Sequence, residues 1–220
     1  AILNDIIGSS KSLQEKPMLS IATQTDRLMV ENRYKEERSV YISAPSPRFS
    51  TKTISMTDIA SSLKCAAQDL DHSLPAQIIN GGLETLVVPM AGLESILAVA
   101  PDLQMLNDFC KKIEVDIIIL YSPEIVNQDC AYRTRVFAPT FGYLEDPATG
   151  SGNSAFGYYL LRNNMWNGEK IRVEQNGFRD TPNFVQIVAK KTDTEECQVW
   201  FGGGAVLKIE GQYILNPTHK

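Results

Sequence analysis

Residues 153–163, Asn-Ser-Ala-Phe-Gly-Tyr-Tyr-Leu-Leu-Arg-Asn, constrain this chain more than any other stretch. Read as a helix, they place Ala, Phe, Tyr and Leu on nearly every side. A helix that is apolar all round has to be enclosed. The walls come from short segments with strand character. Residues 18–25 alternate apolar and polar, 28–32 return after a turn at 26–27, and 39–44 close at Pro45 and Pro47. Segments 77–80 and 83–90 flank a Gly81-Gly82 turn. Residues 115–121 are a continuous apolar run, and 131–138 add another strand. Five more strands are expected at 170–175, 184–189, 198–200, 205–209 and 213–215, separated by glycine-rich turns. Helices are expected at 57–68 with Thr57 as N-cap, at 93–99 and at 102–112. The expected class is α+β, with a curled, mostly antiparallel sheet around a central helix.

The N-terminal residues Ala1-Ile2-Leu3-Asn4-Asp5-Ile6-Ile7-Gly8 read as the tail of a helix with Gly8 as its C-cap, followed by a polar loop at 9–17. They lack the basic region and length of a secretory signal. A domain beginning in this way is expected to have lost what preceded it.

The chemistry concentrates before the central helix. In Glu145-Asp146-Pro147-Ala148-Thr149-Gly150-Ser151-Gly152, the two glycines leave backbone N–H groups open at a helix mouth, and Ser151 adds a hydroxyl. Such a mouth attracts anions through its free amides and the helix dipole. Asp146 can lie beside it. The plainer reading is that Asp146, Thr149 and Ser151 only cap a buried helix. No Lys follows the glycines as in a P-loop, and no G-x-G-x-x-G fingerprint occurs.

The run Arg135-Val136-Phe137-Ala138-Pro139, then Gly142 and Glu145 to Ser151, resembles the signature R-x-F-x-P…G…E-D-P-A-T-G-S of the PhzF-like phenazine-biosynthesis isomerases, which share the diaminopimelate-epimerase fold. Weaker echoes are Gly82 to Val88, Ala100 to Leu103, Glu174-Gln175 and Gly202 to Val206. The resemblance implies two pseudo-symmetric lobes, each a curled sheet around a helix, with the active site between them. Residues 1–70 would be the remainder of an incomplete first lobe and 71–220 the second.

It also implies a cofactor-independent acid/base proton shift on a small carboxylate-bearing metabolite, in a homodimer. Asp146 would be catalytic, and Thr149, Gly150, Ser151 and Gly152 would bind substrate. The family's acid/base glutamate and its G-H-x-T motif are not found, since the sequence holds no Gly-His pair. The C-terminal Q-G…G-R-P-S pattern is replaced by Gln175-Asn176-Gly177-Phe178-Arg179-Asp180-Thr181-Pro182-Asn183. Related epimerases use two thiols; Thr149 stands where one would be, which disfavours that chemistry. A non-catalytic, ligand-binding or structural member of the same fold is the alternative.

Composition narrows the rest. A net charge of −5 gives no basic excess for nucleic acid, and no apolar run approaches a membrane span. The four cysteines form no CxxC pair and only two histidines occur, so no metal site is expected. Free thiols point to a reducing, cytoplasmic setting. His72 reads as a solvated loop residue and His219 as part of a loose terminus. Arg135 can pair with Glu145 or with substrate, and the structural pairing with Glu145 is the one expected.

Overall fold

The structure, a computed structural model, describes residues 2–22, 27–192, 195–207, 209 and 211. The chain is α+β. It opens with helices α1 (Ile2–Gly8) and α2 (Lys11–Gln14), then strands β1 (Met18–Ala22) and β2 (Arg27–Arg33), a helical turn α3 (Tyr34–Glu37) and β3 (Ser39–Ser43). Next come β4 (Arg48–Phe49), α4 (Met56–Leu63), β5 (Gln77–Asn80), β6 (Glu84–Pro89), α5 (Leu93–Ala98) and α6 (Leu103–Ile113). β7 (Ile117–Ser122), β8 (Tyr132–Phe137) and β9 (Glu145–Asp146) precede the central helix α7 (Gly150–Arg162). β10 (Ile171–Gln175), β11 (Asn183–Lys191) and β12 (Cys197–Gly204) follow.

Among the described residues the twelve strands form one sheet, ordered β1-β2-β3-β12-β11-β10-β8-β7-β6-β5-β4, with β9 paired to β8. Two of the pairings, β6 with β7 and β8 with β10, are parallel; the others are antiparallel. β7 shows why its sequence is apolar throughout. Ile117, Ile119 and Tyr121 face the cluster around α7, where Phe156, Tyr159 and Leu160 are buried. Ile118 and Leu120 face the opposite cluster, with Ile59 and Leu63 of α4 and Leu106 and Cys110 of α6. A strand covered on both faces cannot alternate with polar residues. Each large side chain buried here contributes about 1.5–3 kcal/mol of transfer free energy.

Several elements differ from the sequence reading. Thr57 is not a cap: α4 starts at Met56 after Ser55, and left-handed Lys64 ends it. A short 3-10 turn at Ala67–Asp69 replaces its expected last turn. Gly8 is not a left-handed cap; it lies within α1 with the Tyr34 ring against it. The polar loop at 9–17 contains α2, and Arg27, expected in a turn, belongs to β2. α7 begins three residues earlier than the apolar pattern suggests, so Gly150, Ser151 and Gly152 form its first turn. The glycines at 202–204 are not a turn but the end of β12, and 205–207 carry no strand. The expected turn residue 26, the strand at 213–215, His219 and parts of the strands at 18–25 and 205–209 lie outside the described residues.

Residues 2–43 join the rest through the β3–β12 ladder, with a small cluster of Ile7, Val30 and Val40. Residues 48–63 pair and pack with the larger part: β4 on β5, and α4 in the cluster beneath β7. The ladder needs Gly202, where a Cβ would collide with the Val40 carbonyl oxygen and come 2.8 Å from Tyr41 Cα.

The interior also holds an ion pair. Arg133 Nη1 donates to Glu174 Oε2 at 3.1 Å, and both side chains have 0% exposure. Arg133 Nη2 donates to the carbonyls of Asn176 (2.6 Å) and Phe178 (2.7 Å). Glu174 accepts from the backbone N–H (2.5 Å) and side chain (2.6 Å) of Asn127, and from Val126 N at 3.2 Å. Burial pushes the Glu174 carboxyl up, but the hydrogen bonds from Asn127, Val126 and Arg133 prevail, and its pKa lies below the ordinary 4.5.

A carboxylate with a depressed folded-state pKa stabilises the fold above its unfolded value, and the gain is lost as pH falls through the folded one. Thermal melts should therefore show an acid limb below roughly pH 4.5. Glu174→Gln should flatten that limb and cost about 3 kcal/mol at neutral pH, because Arg133 stays buried without its counter-charge. Gly202→Ala should lower the melting temperature and raise amide exchange in β3 selectively. Equal exchange across the whole sheet would deny that the ladder is the junction.

Candidate functional site

The path into the helix mouth is set by β8 and β9. Val136 pairs with Asp146 and Phe137 with Glu145, so the acidic pair folds back along β8. Arg135 then grips Glu145 with both arms of its fork, Nε to Oε1 at 3.0 Å and Nη2 to Oε2 at 2.8 Å. Its Nη1 donates to the carbonyls of Ile96 (3.0 Å) and Val99 (2.6 Å). The expected Arg135–Glu145 pair is thus present. A bidentate pair of this kind fixes orientation as well as charge, so Glu145 is committed to structure.

Asp146, the next residue, has no cationic partner among the described residues. Its Oδ1 accepts from Ala148 N at 3.2 Å, which tightens the turn through Pro147. Asp146, Gly150 and Ser151 are partly exposed, whereas Thr149 and Gly152 are buried. Of the five residues expected at the site, three therefore reach solvent together.

Thr149 occupies the N-cap with extended backbone (φ −108°, ψ 118°) but makes no side-chain capping bond. The plainer reading, that these side chains simply cap the helix, therefore fails at the N-cap itself. The N–H groups of Gly150, Ser151 and Gly152 have no acceptor among the described residues. These are the orphan donors of a first helical turn, where the dipole favours negative charge.

The residue that sequence reasoning passed over is Gln175, at the end of β10 and fully buried. Its Nε2 donates to the Asp146 carbonyl (2.8 Å) and to Thr149 Oγ1 (3.2 Å). Its Oε1 accepts from Thr149 N (3.1 Å) and Asn153 Nδ2 (2.6 Å). Asn153 Nδ2 also donates to Thr149 O at 2.7 Å. The available signal was two polar residues in succession, Glu174-Gln175, at the end of a strand. Around the mouth, the Phe201 ring covers Gly150 where any side chain would stand. Asn183 Nδ2 donates to the Pro147 carbonyl at 3.0 Å. The Ser154 hydroxyl lies 2.7 Å from the carbonyls of both Gly81 and Ser151.

Two surface cavities are lined elsewhere, one by residues that include Cys130, Lys170 and Arg172, the other by residues that include Arg48, Glu84 and Glu114. Neither of them is lined by residues of the helix mouth.

Comparison with known proteins bears on the fold and the family. An uncharacterized isomerase of Bacillus subtilis, YfhB, is 27% identical over 220 residues, covering 96% of this chain and 72% of that one. A trans-2,3-dihydro-3-hydroxyanthranilate isomerase of Pseudomonas fluorescens is 23% identical over 146 residues, 66% of this chain and 50% of that one. The crystal structure of a PhzF-family phenazine biosynthesis protein of Bacillus anthracis superposes with a TM-score of 0.78 at 23% identity, over 90% of this chain and 69% of that one. The chain spans about half the length of several curated relatives that it matches. The family model for phenazine biosynthesis-like proteins, PhzC-PhzF, matches residues 5–211, and the chain belongs to that family.

Proposed function

We propose that this chain is part of an isomerase that shifts a proton, by acid/base chemistry and without a cofactor, on a small carboxylate-bearing metabolite. One observation carries the reading: three unclaimed amides, of Gly150, Ser151 and Gly152, form the first turn of α7, where Gly150 and Ser151 are partly exposed, as is Asp146 four residues before. The relatives named isomerases support the reaction class, and the substrate in the Pseudomonas fluorescens relative's name is itself a carboxylate.

The chemistry follows from the parts. Amides aimed at a substrate carboxylate hold it, and they hold more strongly any charge that spreads onto it when a neighbouring proton leaves. Asp146, on the same edge, either moves that proton or orients the substrate amine or hydroxyl. Glu145 is excluded from the role because Arg135 holds both its oxygens. Thr149 takes part through its place in the turn, since its hydroxyl is buried against Gln175. The four cysteines are unpaired, which fits a cytoplasmic enzyme. The homodimer implied by the resemblance belongs to the same proposal.

Deuterium uptake from solvent into trans-2,3-dihydro-3-hydroxyanthranilate and other small carboxylates tests the reaction. Asp146→Asn should slow the exchange by about 10²–10⁴-fold if it is the acid/base group. Ser151→Ala should raise KM by roughly tenfold, the value of one hydrogen bond to a charged group, with little change in kcat. A protein that binds these carboxylates but exchanges nothing, with Asp146→Asn binding equally well, is the non-catalytic member of the fold instead.

A further inference from the structure

We propose that Gln175 is a positioning residue that keeps the helix mouth open, by holding the Thr149 hydroxyl away from the amides it would otherwise cap. The inference rests on the carboxylate-binding role proposed for the mouth.

A threonine at an N-cap ordinarily turns its Oγ1 onto the N–H of the second or third helical residue, which stabilises the helix. Thr149 has the extended backbone of an N-cap and the right side chain, yet makes no such bond. Its Oγ1 instead accepts from Gln175 Nε2. The energy of the missing cap is replaced inside the protein. Gln175 uses both donor hydrogens and both acceptor positions: the Asp146 carbonyl and Thr149 Oγ1 on one side, Thr149 N and Asn153 Nδ2 on the other. One planar amide therefore fixes the backbone before the cap, the cap itself and the first turn. A buried amide with every partner present is expensive to disturb.

This fixes the orientation of Gln175. Flipping the amide would set its NH₂ against Thr149 N and Asn153 Nδ2, two donors, and its oxygen against the Asp146 carbonyl. Asn153 is held in the same way, because its Nδ2 faces two oxygens. Its Oδ1 then lies buried beside the junction with no donor. That orphan acceptor is the cost of spending the amide's other end on the Thr149–Gln175 lock. The same lock places the Asp146 carbonyl, and so the carboxylate one side chain away, relative to the amides of Gly150–Gly152.

Benzoate, a carboxylate with nothing to isomerise, serves as the probe, read by the backbone amide resonances of Gly150, Ser151 and Gly152. In the unaltered chain these should shift on titration; no shift would sink the carboxylate-binding reading and this inference with it. If they do shift, Gln175→Leu should weaken binding by about tenfold or more, as the freed Thr149 hydroxyl caps the helix in place of the ligand. Thr149→Val added to Gln175→Leu should restore most of the affinity, which a merely structural role for Gln175 does not predict. Unchanged affinity in Gln175→Leu, or no recovery in the double variant, overturns the inference and leaves the carboxylate-binding reading standing. Should Gln175→Leu not fold, Thr149→Val alone decides. It should gain no affinity for benzoate, because its hydroxyl is already engaged by Gln175 and not by the amides. A gain of about fivefold or more would mean that the hydroxyl had been occupying the amides, and would overturn the proposal.

Discussion

Enclosure of α7 is the constraint from which the rest of the molecule follows. Ala155, Phe156, Tyr159 and Leu160 are fully buried on different sides of one helix. No flat sheet can cover such a helix; the strands must curl around it, and β5, β6, β7, β11 and β12 supply contacts from several directions. Once the helix body is sealed, its polar backbone is satisfied everywhere except at its ends. The amino-terminal end is where the chain must come in from solvent, so the unclaimed amides fall at an edge by necessity. The site is thus a by-product of burying the helix, sharpened by the residues placed around it.

Those residues are polar groups taken out of water and paired with one another, although Arg133 Nε and Asn153 Oδ1 stay without a partner. Arg133–Glu174, Arg135–Glu145 and the Gln175 amide lie on β8, β9 and β10, with β8 and β10 parallel neighbours. In a parallel pair the strand ends emerge on the same side. The segments after β8 and β10 therefore meet: Asn183 of the later one reaches Pro147 of the earlier one. Arg133 organises the loop after β10 through the carbonyls of Asn176 and Phe178. Buried charge contributes little net stability against an apolar replacement. Its use here is to define where two loops run.

Much of this was legible in the sequence because the signals were local. The apolar run of β7, the all-round apolar pattern of α7 and the glycines at its mouth each announce themselves within a few residues. The Arg135–Glu145 pair was legible too, because opposite charges flank a short connection. What failed to show was long-range. Gly202 reads as a turn residue until Val40 is seen packed against it, a contact between residues far apart in the chain. Gln175 reads only as a weak family echo at the end of a strand until Asp146, Thr149 and Asn153 converge on its amide. Thr57 reads as a cap by residue pattern alone, yet α4 begins before it, at Met56 after Ser55, with Ile59 and Leu63 in the core.

Thr149 shows how that convergence bears on the chemistry. A position at the mouth of such a helix could carry a reactive group pointing at the ligand, as a thiol would. A hydroxyl cannot hold negative charge near neutral pH, so it would be a poor base even if exposed. Here it is also buried and tied to Gln175. The position has been given over to shaping the mouth. On the proposed reading, proton movement then falls to Asp146, a carboxylate that no cation holds among the described residues, while its neighbour Glu145 is spent on Arg135. Two adjacent acids of the same kind acquire different duties because one lies within reach of a guanidinium fork and the other lies at the edge of the sheet.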